Sequence, residues 1–95
     1  MKDLMAFMYM LVRDNKFQDI ALSNVRVIKS IKDFNNVNEM VDYINNTYCD
    51  SVLIKKVGRK AYTEKLYLHQ VNGFKLNEKS VTFKMTNGNN NNIRF

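Results

Sequence analysis

The amino-acid sequence predicts an α+β domain, in which a mostly antiparallel sheet of about five to six strands carries one helix packed on a face. Three observations predict this class. β-branched or alternating apolar segments precede and follow a single strongly helical stretch, no heptad or internal repeat is present, and 95 residues suffice for one hydrophobic core only. We therefore expect residues 1–95 to form a single domain with the element order β-β-α-β-β-β.

The first apolar segment, Leu4–Arg13, is compatible with two structures. Apolar side chains occupy both of its alternating sides, as in a central strand that is covered on both faces. We favour this strand, because a helix that is apolar on two sides is over-hydrophobic for so small a domain. The helical alternative rests on four residues at the i, i+3, i+4, i+7 spacing: Leu4, Phe7, Met8 and Leu11.

The second strand and the helix follow. Val25–Ile31 alternates and is rich in β-branched residues, which predicts a strand. Asn36 and Glu39 then form an N-x-x-E capping box at a helix start. Cys49 is expected to be a small buried residue just past the helix. The predicted helix runs from about Val37 to Tyr48, and its core-facing stripe consists of Val37, Met40, Val41, Ile44 and Tyr48.

Strands are predicted for the rest of the chain. Ser51–Val57 is apolar and β-branched at its start and is broken by Gly58, and a further strand runs from about Glu64 to Val71. The dipeptide Asn72-Gly73 favours a hairpin turn, because both central residues of a type I′ turn need positive φ. Phe74–Leu76 is therefore expected to fold back on the preceding strand.

The C-terminal segment is rich in asparagine. Val81–Met85 is predicted to be a short strand, and residues 87–92, in which Gly88 alone interrupts a run of asparagines, are expected to form a flexible loop. Ile93–Phe95 is expected to be a short edge strand or a frayed end.

Hydropathy and cysteine usage predict an intracellular, cytoplasmic protein. The longest apolar run, Leu4–Val12, is shorter than the roughly 18 residues that a membrane span needs. It is followed by Arg13, Asp14, Asn15 and Lys16 instead of the small residues of a signal-peptide cleavage site. The single cysteine excludes an internal disulfide. We therefore expect neither secretion nor a membrane partner.

Residue types for catalysis or metal binding are sparse. The chain has one histidine, His69, and one cysteine, and its carboxylates are scattered singly, so no zinc, calcium or two-metal spacing is present. Three glycines leave no phosphate-cradling loop. His69 has no nucleophile near it in sequence and is interpreted as a surface or half-buried strand residue. We expect no catalytic residue, no metal and no cofactor.

Positive charge is concentrated in the second half of the chain. Residues 1–50 contain six Lys/Arg and seven Asp/Glu, whereas residues 51–95 contain nine Lys/Arg against Glu64 and Glu78 alone. This asymmetry indicates an anionic partner, for which nucleic acid or an acidic protein surface fits better than a membrane. A bias toward A+T-rich codons is a competing explanation, because the chain has fourteen asparagines, and eleven lysines against four arginines.

A cluster of cations marks the candidate binding site. Four of six consecutive residues around Gly58 are basic, and a fifth lysine and two tyrosines follow. Lysine and arginine bind phosphates and tyrosine stacks on exposed bases, so this mixture on a sheet face is typical of single-strand or RNA binding. The competing interpretation is a solvated loop beside tyrosines of the core or its rim. The predicted phosphate contacts are Lys55, Lys56, Arg59, Lys60 and Lys65, with Tyr62 and Tyr67 as stacking partners.

Three functions are compatible with these features, and the first is favoured. It is a non-enzymatic binding protein whose basic C-terminal half docks on nucleic acid or a nucleic-acid complex. The second is an inhibitor or adaptor that binds a host protein. In size and residue bias the chain resembles the small accessory proteins of phages and other mobile elements, which implies such docking.

The third function is a small toxin-like ribonuclease that uses His69, Arg59 and Tyr67. It ranks last because no helix is predicted before the sheet. For any of the three functions, a homo-oligomer is compatible with the chain's size. Folding leaves roughly a third of the unfolded-chain surface of such a domain exposed, so an interface between copies would add stability.

Overall fold

A computed structural model describes residues 1–95 as two helices and two antiparallel sheets. The α+β class is confirmed, but a single sheet with one helix is not what forms. Sheet A has the strand order β2-β1-β3-β4, and sheet B has the order β5-β6-β7. The elements are α1 Lys2–Arg13, β1 Asp19–Ser23, β2 Ile28–Ser30, α2 Val37–Asn46, β3 Ser51–Lys55, β4 Glu64–Tyr67, β5 Val71–Leu76, β6 Ser80–Met85 and β7 Asn90–Arg94, with short 3-10 turns at Ile31–Asp33 and Leu68–Gln70.

The prediction of a strand over Leu4–Arg13 is wrong, because this segment belongs to helix α1. Of the four residues of the helical alternative, Leu4, Met8 and Leu11 are buried, and Phe7 is half-buried. The far side of the helix is covered by sheet B, where the ring of Phe7 stacks on Phe74 with centroids 4.2 Å apart and meets Phe83 edge-on at 6.3 Å. A helix that is apolar over a wide arc is thus stable here, since sheet A, sheet B and α2 share it.

The predicted strand over Val25–Ile31 is half wrong. β1 begins earlier, at Asp19, and the chain reverses at Asn24, whose side-chain oxygen accepts hydrogen bonds from the N–H groups of Arg26 and Val27, both at 2.8 Å. This Asx-type turn supplies the backbone with partners that a strand would otherwise provide. Only Ile28–Ser30 returns as the edge strand β2.

Helix α2 starts where the capping box predicts. Asn36 Oδ1 accepts a hydrogen bond from the Glu39 N–H at 3.0 Å, and the Glu39 carboxylate in turn accepts from the Asn35 N–H at 2.9 Å. The helix ends at Asn46, two residues before the predicted end, and Tyr48 is 80% exposed. Cys49 is half-buried rather than fully buried.

The hairpin predicted at Asn72-Gly73 is wrong, because both residues lie inside strand β5. Gly73 does not adopt positive φ. It permits a close approach between strands instead: a Cβ at this position would lie 3.3 Å from Cδ of Lys84. The chain changes direction earlier, at the 3-10 turn Leu68–Gln70, and this turn separates the two sheets.

The asparagine-rich segment is only partly a loop. β7 begins at Asn90, so residues 90–92 of the segment predicted as flexible pair with β6. Gly88 provides the turn between the two strands at φ +88°.

Both sheets contribute to one core cluster of 18 buried residues. Alternate strand residues point to the same face, and the inward residues of sheet A and sheet B, such as Ile54 and Phe83, are fully buried. Phe17 and Phe95 join the end of β7 to this core, with ring centroids 5.2 Å apart. Each sheet therefore has an outer face that points away from this cluster, and in sheet A the β1 residues of both faces are buried. Neither helix has the length and hydropathy that crossing a lipid bilayer requires.

Candidate nucleic-acid interface

Three of the predicted contacts lie on the outer face of sheet A. Lys65 on β4 lies directly opposite Leu53 on β3. Tyr67 is two residues after Lys65, and Lys55 is two residues after Leu53. Strand alternation therefore puts all three predicted side chains on one face. Within this set the Lys65 ammonium lies 5.0 Å from the centroid of the Tyr67 ring, and Tyr67 is 40% exposed.

The other three predicted cations lie in the loop between β3 and β4. Lys56 is half-buried, and Arg59 and Lys60 are exposed. Gly58 adopts φ +81°, and the Arg59 N–H donates to the Lys56 carbonyl at 3.2 Å, so the loop turns tightly. These cations belong to the loop that leaves β3 at Lys55.

Tyr62 has a different role from the predicted one. Its hydroxyl donates to Oδ2 of Asp19 at 2.7 Å, while the hydroxyl of Ser30 donates to Oδ1 at 2.6 Å. Burial, followed by this hydrogen bond to Asp19, raises the pKa of the Tyr62 phenol to about 12. Tyr62 therefore ties the β3–β4 loop to β1, and Tyr67 is the exposed tyrosine of this face.

The electrostatics of the outer face favour an anion. Asp19 is the only carboxylate among the strand residues on this face; it is 9% exposed, and hydroxyl groups occupy both of its oxygens. The only ion pair within 4.0 Å joins Arg13 and Asp14. None of the five predicted phosphate-binding cations forms an ion pair within 4.0 Å, although Lys55 lies directly opposite Asp19 in the register of β1 and β3.

The residues of the ribonuclease hypothesis are not brought together. The rings of Tyr67 and His69 are neighbours, with centroids 6.2 Å apart. Arg59, however, lies in the loop that enters β4, whereas His69 lies in the turn that leaves it. Helix α1 does precede the sheet, so the reason for ranking this hypothesis last no longer holds; the separation of Arg59 and His69 along β4 replaces it.

A second surface feature was missed by the sequence reasoning. Val25 is 97% exposed and Ile28 59% exposed at the turn between β1 and β2. The Asn24 side-chain amide donates to the carbonyl of Tyr48 at 2.7 Å, which places that exposed tyrosine beside the same turn. The sequence did contain a signal for this turn, because Asn24 is a turn-forming residue directly before Val25.

The surfaces themselves are the only guide to function, since no protein-family model, curated protein or solved structure matches this chain. Two of the three concave sites are large enough to describe. One, of about 300 Å³, lies between α1 and Ile31–Lys32, and the other, of about 270 Å³, lies between the start of α1 and β5. No predicted contact residue lines either of them. No cluster of three His, Cys, Asp or Glu side chains is placed to hold a metal ion.

Proposed function

We propose that the protein is a small, cytoplasmic, non-enzymatic binding protein that holds single-stranded nucleic acid, free or within a complex, on the outer face of sheet A. One observation carries the proposal: the Lys65 ammonium lies over the exposed Tyr67 ring, 5.0 Å from its centroid, on the face that also carries Lys55. A mobile lysine over an exposed ring supports both contacts that one nucleotide can make: the ammonium moves to the phosphate, and the base stacks on the ring that it uncovers.

The charge contribution is tested with two matched triple variants. One replaces Arg59, Lys60 and Lys65 by alanine, and the control replaces Lys2, Arg26 and Lys32. Each removes one arginine and two lysines, and all six side chains are exposed. Gel shifts with a labelled single strand are run at low and physiological salt.

The expected result follows from counterion release. Each phosphate contact to a single strand contributes about −0.7 to the slope of log K against log salt, so losing three contacts makes the slope shallower by about 2.1. Between about 50 and 200 mM salt, the wild type then loses about 20-fold more affinity than the variant. Equal slopes in the variant and the control would contradict the proposed face.

Stacking is tested separately by Tyr67→Ala. Stacking of one base on an aromatic ring contributes about 1–3 kcal/mol. We expect Tyr67→Ala to weaken single-strand binding by this amount without changing the salt slope, and Tyr67→Phe to bind normally. If both variants bind like the wild type, Tyr67 is not a stacking platform.

A second candidate function is an adaptor or inhibitor that docks on a host protein. The exposed apolar residues Val25, Ile28 and Tyr48 at one end of sheet A favour it, because such side chains are typical anchors of a protein interface. Absence of any shift with nucleic acid at low salt would support this candidate in place of the first. Cleavage products that disappear with His69→Ala would support the ribonuclease.

A further inference from the structure

The outer face of sheet B carries a second group of cations, which the sequence-based site did not include. Lys75, Lys84 and Arg94 lie on β5, β6 and β7 respectively, and all three are exposed. Apart from these cations, the strand residues of this face are glycine, serine, threonine and asparagine. No carboxylate lies on the strands of this face, and the nearest acidic residue in sequence, Glu78, is in the turn between β5 and β6.

The hydroxyl groups of Ser80 and Thr82 lie near the centre of this face, and each accepts two hydrogen bonds from asparagine amides. The Asn77 amide donates to Ser80 Oγ at 3.3 Å and to Thr82 Oγ1 at 3.0 Å. The Asn92 amide donates to the same two oxygens at 3.1 and 2.8 Å. Because a hydroxyl has two acceptor lone pairs and one proton, each of these oxygens has both acceptor positions used, and its O–H has no acceptor within the protein.

The cations surround these donors. Lys75 lies directly opposite Thr82, Lys84 is two residues further along β6, and Arg94 lies opposite Ser80. With strands about 4.8 Å apart and alternate residues about 6.8 Å apart, the three Cα atoms lie within about 15 Å of one another. Gly73 leaves space for the stem of Lys84, since a Cβ there would lie 3.3 Å from its Cδ. The result is a flat patch of positive charge with O–H donors in the middle.

We propose that the outer face of sheet B binds the phosphate backbone of duplex nucleic acid without reading its bases. Cations on three adjacent strands match a ligand with many separate charges, and hydroxyl donors are typical phosphate contacts. The face has no aromatic ring to stack on an unpaired base and no apolar side chain to enter a lipid layer. It shares no residue with the outer face of sheet A, so an experiment can refute binding at one face without refuting binding at the other.

The test uses a fluorescent duplex DNA and anisotropy titrations over a range of salt. One variant replaces Lys75, Lys84 and Arg94 by glutamine, and the control makes the same replacement at Lys2, Arg26 and Lys32. Each phosphate contact to a duplex contributes about −0.9 to the slope of log K against log salt. The slope of the first variant is therefore expected to be shallower by about 2.7. Between about 50 and 200 mM salt, the wild type then loses about 40-fold more affinity than this variant.

The hydroxyl donor is tested by Thr82→Val, which preserves shape and charge. A hydrogen bond to a charged group is lost, so binding should weaken by about tenfold with an unchanged slope. Thr86→Val, just past the end of β6, is the control and should bind normally. Urea midpoints show whether each variant is folded.

Several results would overturn the inference. It fails if the glutamine variant keeps the wild-type slope while the Arg59, Lys60 and Lys65 variant loses single-strand binding; the proposed function then stands. It also fails if the wild type binds single strands but no duplex, or if anionic lipid vesicles bind through Lys75, Lys84 and Arg94 and duplex DNA does not. Duplex binding that depends on Lys75, Lys84 and Arg94 supports the inference, whereas the proposed function is decided separately by single-strand binding to the Arg59, Lys60 and Lys65 variant.

Discussion

Replacing Tyr62 by phenylalanine isolates the one hydrogen bond that fastens the β3–β4 loop to strand β1. The phenol donates to Asp19 at 2.7 Å, and that carboxylate is 9% exposed, so water replaces the lost donor poorly. A hydrogen bond to a charged group contributes about 1.5–3 kcal/mol. Tyr62 itself is only half-buried, so we expect Tyr62→Phe to lower the free energy of unfolding by about 1.5 kcal/mol, at the low end of that range.

The assay is urea unfolding at neutral pH, supported by thermal melts. For a domain of this size, 1 kcal/mol corresponds to about 4–8 °C in Tm, so the variant should melt about 6–12 °C lower. Tyr67→Phe is the matched control, because Tyr67 is exposed and its hydroxyl forms no hydrogen bond within the protein. We expect the control to stay within about 0.5 kcal/mol of the wild type.

The pH dependence gives an independent check. Burial and the bond to Asp19 raise the pKa of the Tyr62 phenol from its ordinary 10.0 to about 12. A raised pKa stabilises the fold fully below the unfolded value and loses that stabilisation as pH rises through the folded value. The difference between the wild type and Tyr62→Phe should therefore be constant up to about pH 10 and shrink between about pH 10 and 12. Equal stability of the Tyr62 and Tyr67 variants, or a difference that stays constant over this range, would refute the role of Tyr62.

Three further predictions concern the core, the cap and the thiol. Phe83→Ala removes a fully buried ring and should cost about 3–5 kcal/mol in urea unfolding, whereas Val25→Ala, at a 97% exposed position, should cost less than about 0.5; similar losses would contradict the assigned core. Asn36→Ala removes the cap of α2 and should cost about 1 kcal/mol, while Asn38→Ala, on the exposed side of the helix, should be neutral or slightly stabilising; the opposite order would refute the cap. Burial, with the charge of Asp50, raises the pKa of the Cys49 thiol, so iodoacetamide should alkylate the folded protein more slowly than the urea-unfolded chain at neutral pH; equal rates would contradict this.

The sequence correctly predicted those features that depend on contacts between residues close together in the chain. The start of α2 is correct because Asn36 and Glu39 bond to backbone groups within four residues of themselves. The alternation of Lys65 and Tyr67 likewise places both on one face of β4 without knowledge of the partner strands.

Contacts between distant segments decided the rest. Leu4–Arg13 satisfies a strand pattern and a helix pattern equally, and its packing against Phe74 and Phe83 of sheet B selects the helix. The turn signal of Asn72-Gly73 was outweighed by the cross-strand approach of Lys84. The bond from Tyr62 to Asp19 spans 43 positions in sequence, so no local pattern indicates it.

Helix α1 packs against both sheets, whose strands are made at different times, and this affects how the chain folds during synthesis. The helix is made before every strand of the two sheets, yet the rings that cover Phe7 come from β5 and β6, more than 60 positions later in the sequence. A nascent chain that lacks these strands leaves an apolar helix uncovered, which is a state that binds chaperones or aggregates. Burial of Phe7 therefore waits until β5 and β6 have left the ribosome.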